Sequence, residues 1–390
     1  MRILLIGEYS RLHNSLKEGL QALGHEVTLV SDGDAFKKYP SDYFYIPKST
    51  TKGILNIARQ AIFRIFKHDI SYWERGIRFY RLLPKLKNYD VVQLINEAPI
   101  KTVPRFEKFL LNKVIVQNGK TFMLCCGIDY TVVKYMLDKK PRYSLMDPYF
   151  KDKSLLPEYR FIFEHISKSH KKLHDFIYQK VNGVIASDMD YTLPLKGNRS
   201  FIGLIPNPVN LKKLNYTEPY VDDKIIIFLG FNQWTYNHKG IPYFEKALET
   251  IKEIYSDKIE IIIAKTLPYN EYINIYNKAH ILLDQVYSYD QGYNALEAMA
   301  KGKVVFTGAE EEFMQHYNLD ERVAINALPN LDALVNELSH LIENPNEIIA
   351  IGKRAHDFVV KEHEYVTVAG KYLENWHNSS IYKRNQNLNL

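Results

Sequence analysis

The stretch LLDQVYSYDQGYNALEAMAKGKVVFTG, residues 282–308, decides the fold. It begins with the end of an apolar strand predicted over His280–Val286, carrying Asp284-Gln285. A polar and aromatic loop follows, Tyr287-Ser288-Tyr289-Asp290-Gln291. Gly292 then opens a helix bearing Asn294, Glu297 and Met299, Gly302 closes it, and Lys303–Gly308 reads as the next strand. Strand, loop, helix and strand at this spacing form one turn of a doubly wound parallel sheet. A glycine at a helix start leaves backbone N–H groups free, which suits a diphosphate. Glu297, about one and a half turns further in, is placed to accept hydrogen bonds from a ribose diol; alternatively it is a solvated helix glutamate.

The pattern continues in both directions. Upstream come strands at Lys224–Gly230 and Lys258–Lys265, with helices at Ile241–Tyr255 and Tyr269–Ala279. Downstream come helices at Leu331–Glu343 and Asn346–His363. The first half repeats the alternation: strands at Arg2–Gly7, Glu26–Ser31, Tyr89–Asn96, Thr121–Gly127, Val181–Ser187 and Phe201–Ile205, with a helix at Leu12–Leu23 closed by Gly24. The turn cluster Pro206-Asn207-Pro208 marks the join. The expectation is an α/β chain of two doubly wound, Rossmann-like domains, 1–205 and 206–365, with ligands in the cleft between them.

Charge separates the halves. Residues 1–200 hold 33 Lys/Arg and 20 Asp/Glu, a net of +13, whereas residues 201–390 hold 18 and 25, a net of −7. The basic half is expected to face something anionic: a membrane surface, a phosphorylated acceptor or a nucleic acid. Residues 52–88 concentrate it, with nine Lys/Arg against two Asp/Glu. Within them Ile54, Leu55, Ala58, Ala61, Ile62 and Ile65 share one face of a helix over Gly53–Phe66. That helix is either a domain helix with a solvated basic face or a dock for an anionic bilayer.

Several classes are disfavoured. Gly7 is followed by Glu-Tyr-Ser-Arg-Leu-His, not by a dinucleotide-binding glycine pattern, and no P-loop is present. No pair of acids or histidines is read as a metal site, so neither metal nor cofactor is expected. No RNA-binding motif accompanies the basic half, so nucleic acid is not an expected partner. The only cysteines, Cys125 and Cys126, are adjacent and cannot easily form a disulfide. No apolar run approaches the roughly 20 residues of a membrane span, and the N-terminus lacks a signal-peptide core. The expected location is cytoplasmic, with a peripheral place at the inner membrane face if 52–88 docks there.

The stretch Gly292-Tyr293-Asn294-Ala295-Leu296-Glu297-Ala298-Met299-Ala300-Lys301-Gly302-Lys303-Val304-Val305 resembles the GT-B glycosyltransferases, specifically glycosyltransferase family 4. Gly230 followed by Lys239-Gly240 resembles that family's donor-phosphate loop, and Ile205-Pro206-Asn207-Pro208-Val209-Asn210 its interdomain linker. Leu23-Gly24-His25-Glu26-Val27 resembles its first helix and second strand. The resemblance implies a retaining, metal-independent transferase that moves a sugar from a nucleotide-diphosphate sugar to a glycan or lipid-linked acceptor, in surface polysaccharide or glycolipid synthesis. It also implies that the helix Val366–Trp376, within 366–390, crosses back onto the first domain.

By this resemblance the donor side comprises Gly7, Gly230, Gln233, Lys239, Tyr289, Gln291, Gly292, Tyr293, Asn294 and Glu297. The acceptor side comprises Tyr9, Ser10, His13 and Asn14, with His13 equally readable as a helix-start residue. Lys239, Asp290 and Asp129 are the catalytic candidates. Lys239 would neutralise the diphosphate, with Gln233 or His238 helping, since the arginine usually preceding it is missing. The family's first glutamate aligns with Tyr289. Either Asp290 substitutes for it, or the donor sugar is held differently. Asp129 would meet the acceptor or the sugar. The alternative implied by Tyr289 is a catalytically silent subunit that only binds the sugar nucleotide.

Overall fold

A computed structural model describes all residues except 35–36, 67–68, 222, 266–274 and 388–390. Two parallel sheets carry the chain. The first has seven strands: β1 (Arg2–Ile6), β2 (Glu26–Ser31), β3 (Tyr43–Phe44), β4 (Val91–Leu94), β5 (Lys120–Cys125), β6 (Gly183–Ala186) and β7 (Phe201–Leu204). Their order in space is β3-β2-β1-β4-β5-β6-β7. The second has β8 (Ile225–Phe231), β9 (Ile259–Lys265), β10 (Ile281–Leu283), β11 (Val304–Thr307) and β12 (Ile325–Asn326), in the order β12-β11-β10-β8-β9. In both sheets the order reverses beside the first strand, and crevices open there beyond the strand ends.

The central strands are continuous apolar runs because helices cover both sheet faces. Ile3, Leu4, Leu5 and Ile6 are all fully buried. Leu4 and Ile6 face one core, with Phe79 and Leu110; Ile3 and Leu5 face another, with Leu16, Leu20, Tyr372 and Trp376. The helices that matter below are α1 (Leu12–Ala22), α2 (Gly53–Phe66), α3 (Ser71–Leu82), α4 (Pro104–Val116) and α5 (Tyr130–Leu137).

The last helix, Tyr365–Asn387, is longer than the expected Val366–Trp376 and packs on α1 of the first sheet. Gly19 permits the approach: a Cβ there would lie 2.2 Å from the Tyr365 carbonyl oxygen. The indole N–H of Trp376 donates to Gln93 Oε1 at 3.1 Å, at the centre of that layer. The helix expected over 269–279 falls partly on residues 269–274, outside the described residues.

Candidate functional site

The two sheets meet along a cleft whose walls are the loops after β1, β5 and β6 on one side and those after β8 and β10 on the other. A cavity of about 240 Å³ lies in it, lined by Gly127, Asp188, Asp190, His238, Tyr289 and Gly292 among others.

On the second side, Gly292 has extended backbone and the helix Tyr293–Ala300 begins after it with no side-chain cap. Its first N–H groups are thus the orphan donors that any helix start leaves. Glu297 projects from this helix. Burial raises its pKa, while Lys301, Arg11 and Lys37 nearby oppose that shift. It makes no hydrogen bond among the described residues. Tyr293 instead fixes the helix against the first domain: its hydroxyl lies 2.6 Å from Ser15 Oγ and donates to the Pro208 carbonyl at 2.5 Å.

Lys239 stands at the start of the helix Ile241–Tyr255, where Gly240 adopts φ +69°. A Cβ at Gly240 would lie 2.1 Å from Val286, so the turn needs glycine. Lys239 does not wait alone for a diphosphate, as expected from sequence. Its Nζ donates to Asp284 Oδ1 at 2.7 Å, and Asn294 Nδ2 donates to the same oxygen at 3.1 Å. Gly230 sits in the β8–β9 ladder opposite Ala264, and Gln233 is exposed in the turn that follows. His238 packs edge-on to Tyr159 of the first domain, ring centroids 4.4 Å apart, and burial lowers its pKa.

Three catalytic or acceptor-side candidates are already engaged within the protein. Asp290 is buried: its Oδ2 accepts the Met189 N–H at 2.9 Å and its Oδ1 the Gln291 N–H at 2.7 Å. It joins the two domains, and burial raises its pKa. Asp129 is fully buried; it caps α5 by accepting the Val132 N–H at 2.8 Å, and the Cys125 thiol donates to it at 3.0 Å. His13 is fully buried in the first turn of α1, its Nδ1 2.8 Å from the Gly7 carbonyl oxygen. Burial lowers its pKa to about 3, so it stays neutral.

Asn14 is likewise committed, donating through both its N–H and its Nδ2 to Glu8 Oε2 at 2.9 and 2.6 Å. The Tyr9 hydroxyl accepts from Asn96 Nδ2 at 3.3 Å, with Lys101 over its ring. Ser10 Oγ accepts from Lys37 Nζ at 2.9 Å. Gln291 Nε2 donates to the Gly308 carbonyl, while its Oε1 is buried without a partner among the described residues. Tyr289, at the position of the missing glutamate, is a seam residue. Its hydroxyl accepts the Arg142 N–H at 2.7 Å and its ring stacks on Tyr143 at 5.1 Å.

Sequence reasoning missed Arg142, Asp188, Asp190, Arg11 and Lys37. Arg142 bridges the domains through Glu310 and Glu312, at 2.8 and 2.7 Å. Asp190 accepts from Ser288 Oγ at 2.5 Å and from the Tyr289 N–H at 3.0 Å. None of these lies in a motif. Arg11, in the loop after β1, was the one with a legible signal: a cation where the chain enters the cleft.

Residues 240–374 match a protein-family model described as glycosyl transferase-like. Sucrose-phosphate synthase from Thermosynechococcus elongatus superposes over 97% of this chain and 98% of its own, with TM-score 0.61 at 15% identity. The chain has the GT-B fold. Anabaena HepE, solved with UDP and glucose, aligns over 97% of this chain and 100% of its own, with TM-score 0.57 at 12% identity. The catalytic domain of starch synthase IV from Arabidopsis thaliana, bound to ADP and acarbose, gives 97%, 99%, 0.55 and 10%. At such identities the structural likeness carries the GT-B fold. The matching family is the broader glycosyl transferase-like one, not family 4 by name. Comparison with curated proteins finds no match.

Proposed function

We propose that this GT-B protein is a hexosyltransferase that takes its sugar from a nucleoside-diphosphate sugar and gives it to a glycan or lipid-linked acceptor. The observation that carries the reading is Glu297. It is a partly buried carboxylate with no hydrogen-bond partner among the described residues, inside a helix whose N-terminus has no side-chain cap. A nucleoside diphosphate satisfies both features at once: phosphate oxygens accept from the helix-start N–H groups, and the ribose hydroxyls donate to Glu297. The HepE structure holds UDP and glucose, and starch synthase IV holds ADP, on the same fold.

In the reaction the bond between the sugar C1 and the diphosphate oxygen breaks, and the acceptor oxygen bonds to C1 on the same face, which retains the anomeric configuration. The acceptor proton passes to the departing diphosphate. Helix-start N–H groups and Lys239 stabilise the charge that develops there. This scheme draws on no metal.

A second reading, a silent sugar-nucleotide-binding subunit, is favoured by Tyr289 standing where an acid is expected and being held at the seam. Slow hydrolysis of the bound donor by the purified protein separates the two. Screening UDP-, GDP-, ADP- and TDP-sugars by thermal shift identifies the donor. Glu297→Ala then loses at least about tenfold in donor affinity by calorimetry, about 1.4 kcal/mol, with its melting temperature intact. Undiminished affinity in the folded variant would remove Glu297 from the site.

A further inference from the structure

A helix with one apolar face buries that face against something; α2 buries it against nothing among the described residues. None of its described side chains is buried. Ile54, Ile57 and Ile65, on one side of the helix, are 84%, 69% and 72% exposed. Fourteen residues without tertiary packing are marginal as a helix in water. Yet the segment before α2 and the middle of the helix are tied to the residues around α3. Glu74 of α3 accepts the N–H groups of Lys48, Ser49 and Thr50 at 2.8, 2.9 and 2.7 Å, just before α2. Arg59 pairs with Asp69, just before α3, at 3.0 Å.

The neighbouring helices carry on the same character. Trp73 and Tyr80 of α3 and Phe109 of α4 are exposed, and the rings form a ladder across the two helices: Trp73 on Phe106 at 5.7 Å, Tyr80 on Phe109 at 6.2 Å. Arg105 and Lys108 of α4 face Lys168 and Lys172 across a groove of about 510 Å³ that no acidic residue lines.

We infer that α2, with the adjoining surfaces of α3 and α4, docks on an anionic lipid bilayer. The isoleucines of α2 enter the acyl boundary, the aromatic ladder sits at headgroup depth, and the four-cation groove takes lipid phosphates. Charge selects this occupant: an apolar face together with a groove of four cations that no acidic residue lines matches a surface that is greasy within and anionic outside. A nucleic acid would meet the cations but leave the isoleucines in water. No described helix is long and apolar enough to cross the membrane, so the contact is peripheral. The inference stands apart from the donor site, since none of these residues lines the cleft.

Flotation of the full chain with vesicles tests it. Binding is expected to vesicles of phosphatidylcholine mixed with phosphatidylglycerol, and to weaken as salt rises. The triple variant Ile54→Ser, Ile57→Ser, Ile65→Ser should lose at least about tenfold in vesicle affinity. Its melting temperature and donor binding should be unchanged, because those side chains pack against nothing. The pair Arg105→Glu, Lys108→Glu should lose binding and flatten its salt dependence. In a Trp234→Phe background, Trp73 emission should shift to the blue on vesicle addition. Equal binding to phosphatidylcholine alone, no binding to either, or full binding by the triple variant overturns the inference. So does a homopolymeric RNA that competes the vesicles away, or a dimer in solution that the triple serine variant dissociates.

Discussion

Two glutamates border the cleft, one from each domain, and their hydrogen bonds distinguish them. Glu8 follows β1 and is fully buried. Its carboxylate accepts the N–H groups of His13 and Asn14 at 3.3 and 2.9 Å, where Arg11, the residue at the helix cap, supplies no side-chain bond. Glu8 is therefore the cap of α1, and its acceptor capacity is spent inside the protein. Glu297 has the same chemistry and a comparable place, but nothing within the described chain binds it. A polar residue beside a cleft is free for a ligand only when the fold has left its hydrogen bonds unmade. By that criterion Glu8 belongs to the scaffold, and Glu297 is the one left for the proposed ligand. Lys239 lies between the two cases, because Asp284 already holds it.

The intermediate case gives the largest effect. Lys239→Ala leaves the buried Asp284 side chain without its counter-charge, and should cost about 3 kcal/mol of stability in urea unfolding. In an Asp284→Asn background the same substitution should cost far less. Nucleotide affinity, read by calorimetry, should fall in both backgrounds if the lysine also meets the diphosphate. An equal stability loss in both would mean that the pair is idle, and unchanged affinity would move Lys239 to the scaffold side.

Glu8→Ala comes next. It should cost about 1–2 kcal/mol, the scale of a lost helix cap, and leave donor affinity alone. Lost affinity with stability intact would reverse the assignments of the two glutamates.

The smallest effect is a pH dependence within the first loop. Burial raises the pKa of Glu8 from 4.5 to about 7 and lowers that of His13 from 6.5 to about 3. The folded state thus holds the Glu8 proton more tightly than the unfolded chain. The Glu8 contribution to stability is complete below pH 4.5 and is lost as pH rises through about 7. That of His13 is present above pH 6.5 and is lost as pH falls through about 3. Between 4.5 and 6.5 the two oppose each other. Relative to wild type, Glu8→Gln should gain stability as pH rises through this window, and His13→Asn should gain as pH falls through it. Parallel unfolding curves at all pH values would show that neither group titrates differently in the fold.

The alternation of strands and helices was legible because a buried parallel strand reads as an apolar run. The edge strands Tyr43–Phe44 and Ile325–Asn326 were not, since two residues carry no period. In the site, Gly292 and Glu297 stood out through local spacing alone. Asp290, Asp129 and His13 are polar residues at the same strand ends, and only their partners separate them from ligand contacts. The Met189 N–H that occupies Asp290 lies 101 residues away in sequence. Arg142 meets Glu310 168 residues away, across the seam. Spacing along a chain cannot reveal such pairings.

The return of the Tyr365–Asn387 helix to α1 has a consequence for synthesis. β1 to β7 are complete by residue 204, yet the Ile3, Leu5, Leu16 and Leu20 face stays uncovered until Val368, Tyr372 and Trp376 emerge. At about 5–20 residues per second, that is a wait of roughly ten to thirty seconds. The second domain, whose strands lie between residues 225 and 326, is completed by the helix Pro345–His363, just before those covering residues. The half that is made first is therefore finished last, and while it waits it offers a chaperone a greasy face on the nascent chain.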